Sequence, residues 1–222
     1  MNKRLKKCSE FATKNGIVAD IGTDHGYLAI YLIQNEISQH VYACDVNEKP
    51  LSAAIKNISN NNLEDKITTI LSDGLENVPS ENITDVIIAG MGGELISRIL
   101  SNQKWLENNI NLILQPMTKA EYLREWLYKN GYYIKSENAI EEDNFNYTVI
   151  NAVYSGEIKE IDLLTAFIGK IKPTTVDNIK YLKHILKRIE TIANGLSNST
   201  EKKLEAHQYY RLSKQILSMM EE

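Results

Sequence analysis

The sequence predicts an α/β fold, a mostly parallel sheet covered on both faces and followed by an α-helical hairpin. Three observations predict it. Short apolar strands alternate with helix-length amphipathic segments. Four strand ends carry acids or glycines, the signature of loops at the carboxyl edge of such a sheet. Strand signals stop near residue 157, where a heptad-spaced apolar pattern begins.

The first strand is the apolar run into Asp20. It is followed by a glycine-punctuated turn, Ile21-Gly22-Thr23-Asp24-His25-Gly26, and an apolar helix over 27–33. A second strand spans 40–44 and ends at Asp45. A helix over 48–60 follows, with Asp45 or Asn47 available as cap and Pro50 tolerated in its first turn. Strand 67–71 runs into Ser72-Asp73-Gly74. Strand 85–89 runs into Gly90-Met91-Gly92-Gly93 and a helix from Glu94 to about Asn102. Strand 111–115 is followed by Pro116, then a helix over 118–130 closed by Gly131. Two further strands, 132–140 and 147–154, are joined by the acidic loop Glu141-Glu142-Asp143. Their short connection makes them antiparallel and places them at one edge.

Beyond Ile158 the residues Ile179, Leu182, Leu186, Ile189, Ala193 and Leu196 form a heptad seam, with Pro173 preceding the helix. Gly195 to Ser199 breaks it, and Asn198 with Glu201 resembles a capping box. A second helix then runs over 200–220, with Leu204, Leu212, Ile216 and Met219 or Met220 on one side. The expected domains are 1–156 and 157–222.

Composition narrows the function. The chain has 43% apolar and 24% charged residues, as soluble globular proteins do. No apolar run approaches a membrane span, and the basic N-terminus lacks the apolar core of a signal peptide. Cys8 and Cys44 have neither metal nor disulfide spacing and read as reduced thiols of a cytoplasmic protein. No metal is expected. The net charge of −4 is uneven, because residues 157–222 are net positive.

The first turn chooses the ligand. A pyrophosphate-seating dinucleotide turn reads G-x-G-x-x-G, whereas this one reads Asp-x-Gly-x-Asp-x-Gly. Acids repel phosphate but suit the ammonium of S-adenosylmethionine, which carries a sulfonium and no phosphate. Asp20, Gly22, Thr23, Asp24, Gly26 and Tyr27 are therefore candidates for that cofactor. Asp45, with Val46 beside it, stands at the interval where a second-strand acid reaches both ribose hydroxyls. Asp73 and Gly74 suit an adenine amino group, and Gly90, Met91 and Gly92 permit close approach of a substrate.

The segments Lys3-Arg4-Leu5, Val18 through Leu28, Ile88-Ala89-Gly90-Met91-Gly92-Gly93 and Leu114-Gln115-Pro116-Met117 resemble the bacterial tRNA (adenine22-N1)-methyltransferase family, within the class I S-adenosylmethionine-dependent methyltransferases. The resemblance covers the whole chain. It implies a Rossmann-like seven-stranded sheet whose last strand is antiparallel, with a coiled-coil-like tail. It also implies a cytoplasmic enzyme that methylates N1 of an adenine in the D-arm region of tRNA and leaves S-adenosylhomocysteine. Amino-methylating relatives carry Asn/Asp-Pro-Pro-aromatic after the fourth strand. Gly-Met-Gly-Gly at that place argues against the exocyclic nitrogen as target.

Asp24, His25, Glu94 and Gln115 are the candidates for a direct chemical role. Lys3, Arg4 and Lys7 at the N-terminus, and Lys180, Lys183 and Lys187 on one stripe of the first tail helix, are candidates for RNA phosphates. A monomer is expected, with a dimer through the tail as the alternative. Two other functions remain open: a methyltransferase acting on another RNA or a small molecule, and a non-catalytic partner-binding module.

Overall fold

The computed structural model describes residues 1–101 and 103–221. In chain order the elements are α1 (Lys3–Ser9), β1 (Gly16–Ile21), α2 (Tyr27–Gln34), β2 (Ser38–Asp45), α3 (Glu48–Asn60), β3 (Ile67–Leu71), β4 (Asp85–Gly92), α4 (Gly93–Leu100), β5 (Asn111–Thr118), α5 (Ala120–Lys129), β6 (Tyr132–Glu142), β7 (Phe145–Tyr154), α6 (Leu163–Ile168), α7 (Val176–Ser197) and α8 (Lys203–Glu221). The sheet has seven strands in the order β3-β2-β1-β4-β5-β7-β6. β1 through β5 pair in parallel. β7 lies antiparallel between β5 and β6. The chain thus moves outward to β3 and then returns to the other side of β1. Ligands of such sheets bind where the order reverses, here beyond the ends of β1 and β4.

Alternation along each strand builds two cores. Ala19, Ile21, Val86, Ile88, Leu112 and Leu114 face one side, under Leu100 of α4 and Leu123 and Leu127 of α5. Val18, Val41, Ile87 and Ile113 face the other, under Cys8 of α1, Leu28 and Leu32 of α2 and Ile58 of α3. Cys8 and Cys44 are free and buried, and burial pushes both thiols up to about 12. Among the described residues there is no His/Cys/Asp/Glu cluster suited to a metal, and no helix is long and apolar enough to cross a membrane.

The structure corrects several expectations. The N-terminus, to which the sequence assigns no element, is a helix: Asn2 caps α1 by accepting from the Leu5 N–H, and Cys8 and Leu5 enter the core. Glu141 and Glu142 belong to β6, not to the loop. The turn is only Asp143-Asn144, both at positive φ of 50° and 65°, as a two-residue type I′ hairpin requires. α5 begins two residues later than expected because β5 continues through Pro116 to Thr118. The expected end of α4 at Asn102 lies outside the described residues, and the helix is described to Leu100.

The tail departs most. α7 passes through Gly195 to Ser197, and α8 starts at Lys203, beyond the Asn198/Glu201 box. Leu182, Ile189 and Ala193 are buried, but Ile179, Leu186 and Leu196 are only half-buried, and Tyr181 and Ile185 fill the core instead. Leu204 is 77% exposed, and Ala206 takes the inward position. The reason is that α7 buries two sides at once, one against α8 and one against α6 and Ala139 of β6, so its apolar face is wider than a two-helix seam. At the junction the Arg124 side chain is fully buried. It donates to Glu137 Oε1 at 2.9 Å, to the carbonyls of Ala166 and Phe167, and to the Tyr181 hydroxyl.

Candidate active site

Two adjoining clefts open at the point where the strand order reverses. One, of about 730 Å³, is lined by Gly22, Asp45, Val46, Asp73, Gly74, Gly90 and Met91, with Asn47, Ser72, Leu95, Arg98 and Ile99. The other, of about 710 Å³, is lined by Asn2, Arg4, Leu5, Asp20, Gly22, Asp24, Leu28, Ala89 and Gly90. Gly22, Ala89 and Gly90 border both, so the clefts form one bent groove.

At the end of β1 the Asp20 carboxyl is buried, and its Oδ2 accepts from the Thr23 hydroxyl at 2.7 Å. Burial pushes its pKa up to about 6. The hydrogen bond from Thr23 opposes the shift, and the nearby charges of Asp45 and Asp24 add to it. Gly22 has φ of 77°, and a Cβ there would stand 2.3 Å from Met91 Cε. The positive φ favours glycine, and the absent side chain leaves room for the end of Met91. The Gly22 and Thr23 N–H groups donate to the Cys44 carbonyl, which ties this turn to β2. At the end of β2, Asp45 lines the groove and its Oδ1 accepts from the Asn47 N–H at 2.7 Å.

Gly90 is a bulge. Ala89 pairs with Gln115 and Met91 with Pro116, leaving Gly90 outside the ladder at φ of 82°. Its N–H donates to Gln115 Oε1 at 3.1 Å. The same oxygen accepts from Arg4 Nη1 at 2.7 Å, and Arg4 Nε donates to Glu142 Oε2 at 2.7 Å. A chain of hydrogen bonds therefore fixes the β4 tip through a buried amide and an arginine of the N-terminal helix.

The expected site residues divide accordingly. Asp20, Gly22, Asp24, Asp45, Val46, Asp73, Gly74, Gly90 and Met91 are brought together around the groove. Thr23, Gly26, Tyr27 and Gly92 do not line it. Thr23 holds Asp20, and Gly26 caps α2 in the left-handed region. Of the chemical candidates, only Asp24 borders the groove. His25 Nε2 stands 3.4 Å from Asp24 Oδ1, its ring stacks on Tyr27, and its carbonyl accepts from Asn57, so it orders the turn. Glu94 pairs with Lys119 at 2.6 Å, away from the groove. Gln115 is wholly buried behind Gly90.

Arg4, expected at phosphates, lies in the groove wall and is committed to Gln115 and Glu142. Lys7 pairs with Glu10 at 2.6 Å, and Lys180 with Glu141. Lys3, Lys183 and Lys187 are exposed. Sequence reasoning missed Leu5, Leu28, Leu95, Arg98 and Ile99 as wall residues. The signal for Leu28 and Leu95 was present, because the first turns of α2 and α4 follow directly on the glycine-rich tips.

A methyltransferase domain family matches residues 1–150. The chain is 36% identical over 153 residues to the tRNA (adenine(22)-N(1))-methyltransferase of Bacillus subtilis (strain 168), an alignment covering 68% of this chain and 64% of that relative. It thus spans under two thirds of that curated protein's length. Solved structures align over nearly the full length of both chains. The B. subtilis m1A22 tRNA methyltransferase TrmK matches with a TM-score of 0.83 at 27% identity, covering 99% of this chain and 98% of that one. M. capricolum TrmK, in complex with S-adenosylhomocysteine, matches with a TM-score of 0.82 at 33% identity, covering 99% of each. With the acids and glycines of four strand ends gathered on one groove and the domain family matched over residues 1–150, the chain belongs to the class I methyltransferase domain family.

Proposed function

We propose that this protein transfers the methyl group of S-adenosylmethionine to N1 of an adenine in the D-arm region of tRNA, at position 22. The observation that carries the reading is the convergence of Asp20, Asp45, Asp73 and Gly90 on one bent groove. The groove fits the donor chemically. Asp45 and Asp73 suit the hydroxyls and amino group of a nucleoside. The other arm offers two carboxylates, Asp20 and Asp24, which complement the ammonium of the donor's amino-acid part. The buried Asp20 carboxyl lacks a charge partner that an ammonium supplies.

The donor brings a sulfonium-bound methyl as electrophile. N1 of adenine uses its lone pair to bond the methyl carbon, and the carbon–sulfur pair stays on sulfur, leaving a cationic base. The protein's task is alignment of nitrogen, carbon and sulfur. The Gly90 bulge, held by Gln115, brings backbone rather than a side chain to the point where an extruded base enters. The Ala89-Gly90-Met91 peptides supply dipoles for the charge that gathers on the ring. Asp24 is the side chain proposed to sit nearest that charge. Thr23, Gly26 and His25 act through the turn they shape.

The exposed Lys183 and Lys187, with Lys3, are proposed to meet tRNA phosphates, and residues 157–222 to form the RNA-facing unit. The protein is proposed to act in the cytoplasm as a monomer, since Ile185, Ile189, Leu212 and Ile216 close the helical seam within one chain. Labelled-methyl transfer to unmodified tRNA, followed by nucleoside analysis, tests the reaction. Label in 1-methyladenosine that disappears when the target adenine is replaced supports it. Label in another nucleoside overturns it.

A further inference from the structure

The tip of the β6–β7 hairpin carries an aromatic surface that the reaction described above does not use. Phe145, the first residue of β7, is 64% exposed. Its ring lies 6.3 Å from that of Tyr147, tilted by 33°. The two share a face of the strand, as residues two apart do. Tyr147 is half-buried, and the Arg4 guanidinium covers its ring at 5.2 Å. Arg4 in turn lines the donor groove and bonds Gln115, which holds Gly90. An unbroken path of planar groups therefore runs from the exposed Phe145 ring, through Tyr147 and Arg4, to the β4 tip.

The platform is rigid. The type I′ turn fixes Phe145 opposite Glu142 in the ladder. Glu142 is anchored to α1 by the Lys3 N–H at 2.5 Å and by Arg4. The ring is held out into water, and Tyr147 and Arg4 connect it to the groove wall. An unpaired base is the complementary ligand, because every base has a flat face, and proteins that read unstacked RNA use aromatic rings in this way.

We propose that Phe145 is a stacking platform for an unpaired base that neighbours the methylated adenine in the substrate strand. Resting on the assignment of an RNA substrate, it adds the residue that holds the strand while the target base is extruded. Stacking depends on ring area and not on hydrogen bonding, so the contact tolerates any base.

The test compares wild type with Phe145→Ala, Phe145→Leu and Phe145→Trp, using unmodified tRNA. The residue is exposed, so all three variants are expected to keep wild-type S-adenosylhomocysteine affinity and thermal stability. Phe145→Ala and Phe145→Leu are expected to raise KM for tRNA between about five- and 150-fold, the range of one base–aromatic stack, with kcat within about twofold. Phe145→Trp is expected to restore KM. A Phe145→Leu enzyme with wild-type KM, or a loss confined to kcat, overturns the platform. Should the wild type methylate no tRNA, the reaction is what fails. The platform is then judged by binding alone. Indole fluorescence of Phe145→Trp quenched by tRNA, beyond any change in wild type, supports it, and unquenched fluorescence refutes it.

Discussion

Asp20 gives the donor groove its pH dependence. Its carboxyl titrates near 6 because burial and the neighbouring Asp45 and Asp24 disfavour the ionised form. A cationic ammonium binds the ionised form better, so affinity for S-adenosylhomocysteine should fall as pH drops through about 6 and level off above it. The effect on folding has the opposite sign. The native pKa lies above the unfolded one, so this group's contribution to stability is present at low pH and is lost as pH rises through the interval between them. Asp20→Asn should weaken S-adenosylhomocysteine about ten- to hundred-fold, the worth of a charged hydrogen bond, and should flatten the binding profile. Calorimetric titration from pH 5 to 8, a range chosen around about 6, checks both. At Gly90 the expectation is steric: Gly90→Ala strains a φ of 82° at a wall shared by both arms of the groove and should lower methyl transfer and weaken S-adenosylhomocysteine together.

The elements show which parts of the fold were legible in the sequence. The seven strands and the helices between them were, because strand ends in parallel sheets carry acids and glycines and the helical periods are clean. The groove acids were legible for the same reason. Three things were not. α1 was hidden because a basic heptapeptide has no apolar stripe long enough to signal a helix, and its role emerges only from Arg4 reaching β5 and β6. Glu141 and Glu142 looked like a loop because charge in an edge strand mimics a turn. In the tail, heptad spacing pointed to one seam, but α7 packs on the sheet as well as on α8.

The contact that makes the difference is Arg124, which is invisible to periodicity. Removing it leaves the Glu137 carboxylate buried and unpaired. Arg124→Met should cost about 3–5 kcal/mol in chemical denaturation. Arg124→Met combined with Glu137→Met should cost less than the single change, since no charge is then stranded.

At the scale of the whole molecule, charge is divided between two regions. The acids of the sheet's carboxyl edge suit a cationic donor, and the exposed lysines of α7 suit a polyanion. tRNA affinity should therefore fall steeply between low and moderate salt. Lys183→Glu with Lys187→Glu should weaken tRNA binding and reduce the salt slope by about two, with the affinity for S-adenosylhomocysteine unchanged. Filter binding across a salt series separates this from a solvated helix face, for which the slope would not change.

The arrangement of donor and base in one bent groove is tested most directly by a crystal structure with S-adenosylhomocysteine. The expected density has the ribose hydroxyls at Asp45, the adenine beside Asp73, the amino group at Asp20 and the sulfur beside Gly90. Density for the ligand in any other cleft, or in this one with its amino group turned away from Asp20, would contradict it.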